Sequence, residues 1–266
     1  MIINKPVKEE WDQIAKFNGW FAEPKLDGCR LLFQDGKLIR ENGLVKNTQY
    51  PEVIDVLAKL PSGVVLDGEL CNLIDPFSAN FNMLQHRINL QNKLKIKLLA
   101  KSNPATFVAF DILKNEGQDL TKLPYIERIK TLVSVLRSNL TENDFQRVTQ
   151  IQQFSPEELK QVIPKYNMEG IILKDPNSSY QSSWIKMKAE HEIDCKVVGF
   201  TNEIRNISAL ELDDLNGNYV GKVNYINYPQ TEEFAKKLVG MIAVVKYNMK
   251  TPDGKLRFPV LKELRG

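Results

Sequence analysis

The sequence predicts an α+β chain in two parts: a larger domain over 1–189, with antiparallel sheets and flanking helices, and a small β-barrel over 190–266. Three observations carry this. Up to residue 189, short β-rich apolar runs alternate with segments of helical period. Tight-turn signals such as Asp35-Gly36 join neighbouring runs as hairpins. After residue 190 the texture changes to short strands at 193–200, 208–213, 219–225 and 241–248, with one helix near Thr231 to Leu238 and turns at 213–218 and 252–254.

Taken in order, residues 6–19 read as a helix or helical turn, and Gly19 to Ala22 as a short apolar run. Glu23-Pro24-Lys25-Leu26-Asp27-Gly28-Cys29-Arg30 then places a lysine in a loop ahead of the hairpin Leu31–Arg40, closed by Glu41-Asn42-Gly43. A lysine amine is a nucleophile only in its neutral form, which desolvation and neighbouring cations favour. Arg30 is such a cation, and Gly28 would let the backbone turn beside a phosphate. Alone, the stretch reads equally as a surface Lys–Asp pair.

Pro51 opens a helix with Val53, Ile54, Leu57 and Leu60 on one face. The strand Val64-Val65-Leu66 runs into Asp67-Gly68-Glu69, whose carboxylates stand over a cleft or simply in a turn. Residues 76–110 carry Arg87, Lys93, Lys95, Lys97 and Lys101 and no acid. That one-signed stretch is a candidate phosphate contact or a solvated helix face. Thr106 to Leu113 is a strand with Phe110-Asp111 near its end, a core aromatic or a platform for a purine. A helix follows from Pro124 to about Ser138, and Ser155-Pro156-Glu157-Glu158 is a capping box that starts another. Glu169 to Lys174 and Trp184 to Lys188 are strands, and Lys186 and Lys188 share one face of the second.

Composition narrows the function classes. The chain has 266 residues, 42% hydrophobic and 26% charged, and can bury a good core. Its net charge of +3 permits a nucleic-acid partner without demanding one. Cys29, Cys71 and Cys195 form no Cys-x-x-Cys pair, which argues against a zinc ribbon and a disulfide framework and for a reducing compartment. Two histidines, His86 and His191, leave little for a histidine triad or metal site. No signal-peptide core or membrane span is expected, which places the protein in the cytoplasm.

The order of these motifs resembles the covalent nucleotidyltransferase superfamily, and within it the ATP-dependent DNA ligases. The resemblance runs through Lys-x-Asp-Gly-x-Arg, Arg40, Asp-Gly-Glu, Phe-Asp, Glu-Gly-Ile-Ile-Leu-Lys and Trp-x-Lys-x-Lys to the final barrel. It implies a nucleotidyltransferase (adenylation) domain followed by an OB-fold barrel. It implies that Lys25 attacks the α-phosphate of ATP to give lysyl-AMP, that AMP passes to the 5′-phosphate of nicked double-stranded DNA, and that the 3′-hydroxyl then expels it. By the family pattern Glu23, Arg30, Arg40 and Glu69 bind the nucleotide, with Arg30 and Arg40 reaching the ribose and the nick phosphate. Phe110 stacks on adenine with Ile171 on its other face. Glu169, Glu69 and Asp27 hold Mg2+ or Mn2+, and Lys186 and Lys188 hold the α-phosphate. Arg257, Lys262 and Arg265 resemble the last motif, which orients pyrophosphate, although the acidic-basic pair that often follows it does not follow Arg265 here. Arg40, Arg87, Lys93, Lys95 and Lys97 are the expected DNA contacts. A monomer of the minimal viral, phage or bacterial kind is expected. The alternatives are an RNA ligase or mRNA-capping guanylyltransferase, and a non-catalytic nucleic-acid-binding barrel.

Overall fold

The computed structural model describes residues 4–182, 184–202, 208–229 and 231–266. The chain divides into two units between Met187 and Lys188, against an expected boundary at 189/190.

The first unit begins with β1 (Val7–Lys8) and a 3-10 helix over Trp11–Phe17. β2 (Phe21–Pro24), β3 (Cys29–Gln34) and β4 (Lys37–Ile39) follow. Asp35 and Gly36 take φ of 50° and 69°, the left-handed pair that a two-residue hairpin turn between β3 and β4 requires. α1 (Pro51–Leu57) starts on its proline, and β5 (Val65–Cys71) leads to the hairpin β6 (Leu73–Asp75) and β7 (Ser78–Ala79). The basic stretch forms two helices, α2 (Phe81–Ile88) and α3 (Lys93–Ser102). Then come β8 (Thr106–Asn115), β9 (Gln118–Asp119), α4 (Tyr125–Asn139) and β10 (Val148–Gln150). α5 (Pro156–Tyr166) carries the capping box at Ser155 and Glu158. β11 (Gly170–Lys174) and β12 (Ile185–Lys188) complete the set.

These strands make two sheets. One runs β10-β8-β5-β3-β4, with β9 paired to β8; the other runs β1-β12-β11-β2. β2 with β11, β3 with β4, β3 with β5, β5 with β8 and β8 with β9 pair antiparallel, whereas β10 with β8 and β1 with β12 pair parallel. The two-residue period of a strand sorts each chain into two faces. Cys29, Leu31 and Phe33, Leu66 and Leu70, and Phe107, Ala109 and Ile112 pack one face of the larger sheet into the main core with Val53, Leu57, Ile129, Leu132 and Leu136 of the helices. Each Leu, Ile, Val or Phe side chain among them contributes roughly 1.5–3 kcal/mol by leaving water. Arg30 and Leu32, and Asp67 and Glu69, therefore fall on the opposite face. Asp67-Gly68-Glu69 lies inside β5, not in a turn after it, because β5 continues to Cys71 between β3 and β8. Phe110 likewise sits in mid-strand. The register steps from Ala109 to Asp111 against consecutive residues of β5, so β8 is bulged at Phe110.

The second unit contains β13 (His191–Asn202), β14 (Ser208–Asp214), β15 (Tyr219–Asn224), α6 (Glu232–Leu238), β16 (Ile242–Tyr247), β17 (Met249–Lys250), β18 (Leu256–Arg257) and β19 (Val260–Arg265). Five strands form an antiparallel sheet in the order β15-β14-β13-β16-β19, and β17 pairs with β18. Cys195, Val197, Leu210, Leu212, Ala243 and Val245 bury one face together with Ala235 and Leu238 of α6. Among the described residues no ladder joins β15 to β19, so the expected barrel is not closed. No helix of the described residues is long and apolar enough to cross a membrane.

Candidate active site

The loop between β2 and β3 carries Lys25. Its backbone N–H donates to Gly170 O at 3.0 Å, and its Nζ donates to Glu169 Oε1 at 2.5 Å. Gly170 has φ 145°, a conformation that favours glycine, so the Glu-Gly pair at the start of β11 both shapes this contact and supplies its acid. Gly28 has a different reason from the one its position in a turn suggests. Its φ is not positive. A Cβ there would lie 2.4 Å from Leu70 O and 2.8 Å from Glu69 Cγ, so the glycine lets the Lys25 loop rest against β5.

Lys25 opens onto a cavity of about 280 Å³. Phe110 and Trp184 supply aromatic wall, and Leu26, Ile151 and Ile172 supply aliphatic wall. Phe110 meets Trp184 edge-on, with ring centroids 5.7 Å apart. Glu69 is half-buried, and burial pushes its carboxyl up to about 8 against the opposing pull of Lys25 and Arg30. Arg30 grips the fully buried Asp67 with both ends of its fork, Nε to Oδ1 at 3.0 Å and Nη2 to Oδ2 at 2.6 Å. At the other end, Lys174 is wholly buried. It pairs with Glu23 at 2.8 Å and donates to Phe110 O at 3.0 Å, with the Trp184 ring 4.2 Å away. Tyr125 Oη donates to Glu23, and burial still holds the Glu23 carboxyl above its ordinary range.

Glu23, Lys25, Asp27, Arg30, Glu69, Phe110 and Glu169 therefore line one cavity, although they are spread over residues 23–169. Two expectations are corrected. Ile171 is fully buried on the far face of β11; by strand alternation it is Ile172 that reaches the cavity, with Lys174 on the same side. Arg87 is 1% exposed and bonds Glu52 through both Nη atoms at 2.6 Å, so it braces α2 against α1 and has no surface to offer DNA. Lys93, Lys95 and Lys97 are exposed on α3. Arg40, just beyond β4, and Lys186, whose β12 neighbours Ile185 and Met187 are buried, are partly exposed and do not line the cavity. Lys188, Arg257, Lys262 and Arg265 belong to the second unit, where Lys262 pairs with Glu192 at 2.6 Å. Sequence reasoning missed Asp67, Lys174 and Tyr180 as partners of site residues. Alternation in β11 would have revealed Lys174; nothing local marks Tyr180.

Among the described residues, no group of three or more His, Cys, Asp or Glu side chains converges as a metal site, so Asp27, Glu69 and Glu169 do not form a preformed cage. The donor set fits Mg2+ held by one or two carboxylates, with phosphate and water completing the shell.

The family model described as the ATP dependent DNA ligase domain matches residues 2–188. DNA ligase C of Mycobacterium tuberculosis is 30% identical over 195 residues, covering 67% of this chain and 52% of that protein. The bifunctional non-homologous end joining protein LigD of Bacillus subtilis is 29% identical over 228 residues, covering 77% of this chain and 36% of that protein. The chain thus spans between a third and about half the length of these relatives. A solved Lig E DNA ligase, described as binding DNA with a minimal scaffold, matches with a TM-score of 0.69 over 100% of both chains at 19% identity, a likeness of fold.

Proposed function

The chain belongs to the ATP-dependent DNA ligase family, and from that premise we propose that it seals nicks bearing 3′-hydroxyl and 5′-phosphate ends in duplex DNA through lysyl-AMP and DNA-adenylate intermediates. The observation that carries this is Lys25 Nζ, 2.5 Å from Glu169 at the mouth of a cavity walled by Phe110 and Ile172. The cavity takes the adenosine, with the purine between Phe110 and Ile172 and the ribose hydroxyls toward Glu69. Lys25 attacks the α-phosphorus; a P–N bond forms, the bond to pyrophosphate breaks, and Glu169 is the group within reach to accept the amine proton. AMP then moves from Lys25 to the 5′-phosphate, and attack by the 3′-hydroxyl releases it.

Such transfers are catalysed by positioning and charge neutralisation. Mg2+ held by Glu69 and Glu169 would neutralise phosphate charge. Arg30 and Arg40 contact the ribose and the nick phosphate, Lys186 and Lys188 hold the α-phosphate, and Arg257 and Arg265 orient pyrophosphate. On DNA, Lys93, Lys95 and Lys97 contact the phosphate backbone; the positive end of the α3 dipole adds to their charge. The protein works as a monomer in the cytoplasm, where its three buried thiols stay reduced.

The test is incubation with ATP or GTP labelled on the α-phosphate, with Mg2+, followed by denaturing electrophoresis. A protein adduct from ATP, absent in Lys25→Ala and discharged onto nicked DNA, is the expected result. An adduct from GTP would move the protein to the capping class. No adduct, with an intact mass that excludes prior adenylation, would leave a binding protein.

A further inference from the structure

Arg30 has five N–H donors, and four of them are committed. Nε and Nη2 bond the two oxygens of Asp67, Nη2 also reaches Tyr180 Oη at 3.3 Å, and Nη1 donates to Asn4 O at 2.5 Å. Tyr180 Oη in turn donates to Asp67 Oδ2 at 2.7 Å. Asn4 is itself fixed, because its Nδ2 donates to Tyr180 O at 2.7 Å and Ser182 O at 2.6 Å. The guanidinium is closed on its flanks by the rings of Phe110 and Trp184, 5.3 and 5.2 Å from their centroids.

We propose that Tyr180 and Asn4 are positioning residues for Arg30: they clamp its guanidinium on Asp67 from two sides, so that a single Nη1–H is left, aimed into the cavity for the substrate. The proposal rests on the ligase reading above. Asp67 alone could hold a fork, but a fork held at one side can pivot about the Asp67 carboxylate. Tyr180 stops the pivot by bonding both members of the pair. Asn4 stops it at the opposite nitrogen, using a backbone carbonyl that cannot rotate away. Neither residue touches the space where the nucleotide would sit, so neither is a catalytic residue.

Rates of lysyl-AMP formation and of sealing by pre-adenylated protein are measured for Tyr180→Phe and Asn4→Ala in the native and in the Arg30→Lys background. A wild-type protein that forms no adduct fails the ligase reading, not this one. Tyr180→Phe removes a hydrogen bond to each member of the Arg30–Asp67 pair, while Asn4→Ala keeps the carbonyl that Arg30 uses and removes the two side-chain bonds that hold that carbonyl in place; each predicts at least one step slowed about tenfold or more in the native background. In the Arg30→Lys background the same changes slow it less than about twofold, because the fork they position is gone. Equal slowing in both backgrounds, or none in either, overturns the proposal. The NMR resonance of the Arg30 Nε–H, assigned by its loss in Arg30→Lys, reads the clamp without activity. It is sharp in wild type and broadened in both variants, and an unchanged signal in both also overturns the proposal. If Tyr180→Phe does not fold, Asn4→Ala carries both measurements.

Discussion

Replacing Gly28 by alanine tests whether the Lys25 loop owes its place to contact with β5. The added Cβ would lie 2.4 Å from Leu70 O, 2.8 Å from Glu69 Cγ and 3.0 Å from Glu69 Oε1. The Glu69 side chain can swing aside. Leu70 O cannot, because β5 is paired with β3 on one side and β8 on the other. Carbon and oxygen approach no closer than about 3.3 Å, so the loop must lift by about 1 Å. Overpacking of this kind costs about 1–3 kcal/mol. A 1 Å displacement of a reacting group is enough for about a hundredfold in rate. Gly28→Ala should therefore fold, lose about 1–3 kcal/mol in urea unfolding, and form lysyl-AMP about a hundredfold more slowly from α-labelled ATP. Wild-type stability together with a wild-type rate would refute the argument.

In the ligand-free protein Glu69 keeps, up to about pH 8, a proton that the unfolded chain releases near its ordinary value of 4.5. Wild-type stability therefore falls with rising pH across that window. Glu69→Gln should gain on wild type in thermal midpoint from pH 5 to 8 and hold its lead above 8; a lead that does not change with pH would contradict this. Asp111→Asn strands the fully buried Arg128, which bonds Asp111 through Nε and Nη2 at 2.8 Å, and should cost about 3–5 kcal/mol in urea unfolding. Ile172→Ala should raise the KM for ATP about tenfold with little loss of stability, whereas Ile171→Ala should cost about 2–4 kcal/mol and leave KM alone; the reverse pattern would put Ile171 back in the site. Reversing Lys93, Lys95 and Lys97 to glutamate should weaken nick binding and flatten its salt dependence by up to about three phosphate contacts, and an unchanged slope would free α3 of DNA.

The fold was legible where local chemistry is strong: the Asp35-Gly36 turn, the helix start at Pro51 and the Ser155 capping box each leave a pattern within a few residues. The same is true of the site where it rests on motif order. Lys25, Arg30, Glu69, Phe110 and Glu169 were read from separate stretches and meet in one cavity. What failed was facing and partnership. Ile171 and Ile172 are chemically identical, and only the pairing of β11 with β2 decides which of them sees the cavity. Arg87 belongs to a run of cations, and the run does not say that Glu52, 35 residues earlier, has claimed it. Tyr180 acts across 113 residues on Asp67, a distance at which sequence has no period to read.

The charges of the cavity show how far this unit alone can go. Lys25, Arg30 and Lys174 line it beside Glu23, Asp27, Glu69 and Glu169, so acids outnumber cations there, and Asp67 beneath adds one more. Each of the three cations already has a carboxylate partner: Glu169, Asp67 and Glu23. The proton that Glu69 retains to about pH 8 removes one negative charge without reversing the balance. Such a cavity suits a neutral nucleoside with hydroxyls and an aromatic base. It does not by itself suit a triphosphate, whose charge would face carboxylates with no spare cation among the lining groups. On the proposed reading, phosphate binding draws on charge from outside the lining set, and Lys186 and a divalent ion are the groups that would supply it. Recognition of the nucleoside and neutralisation of its phosphates are then separable, and a nucleoside without phosphates should occupy the cavity when Lys186 is lost.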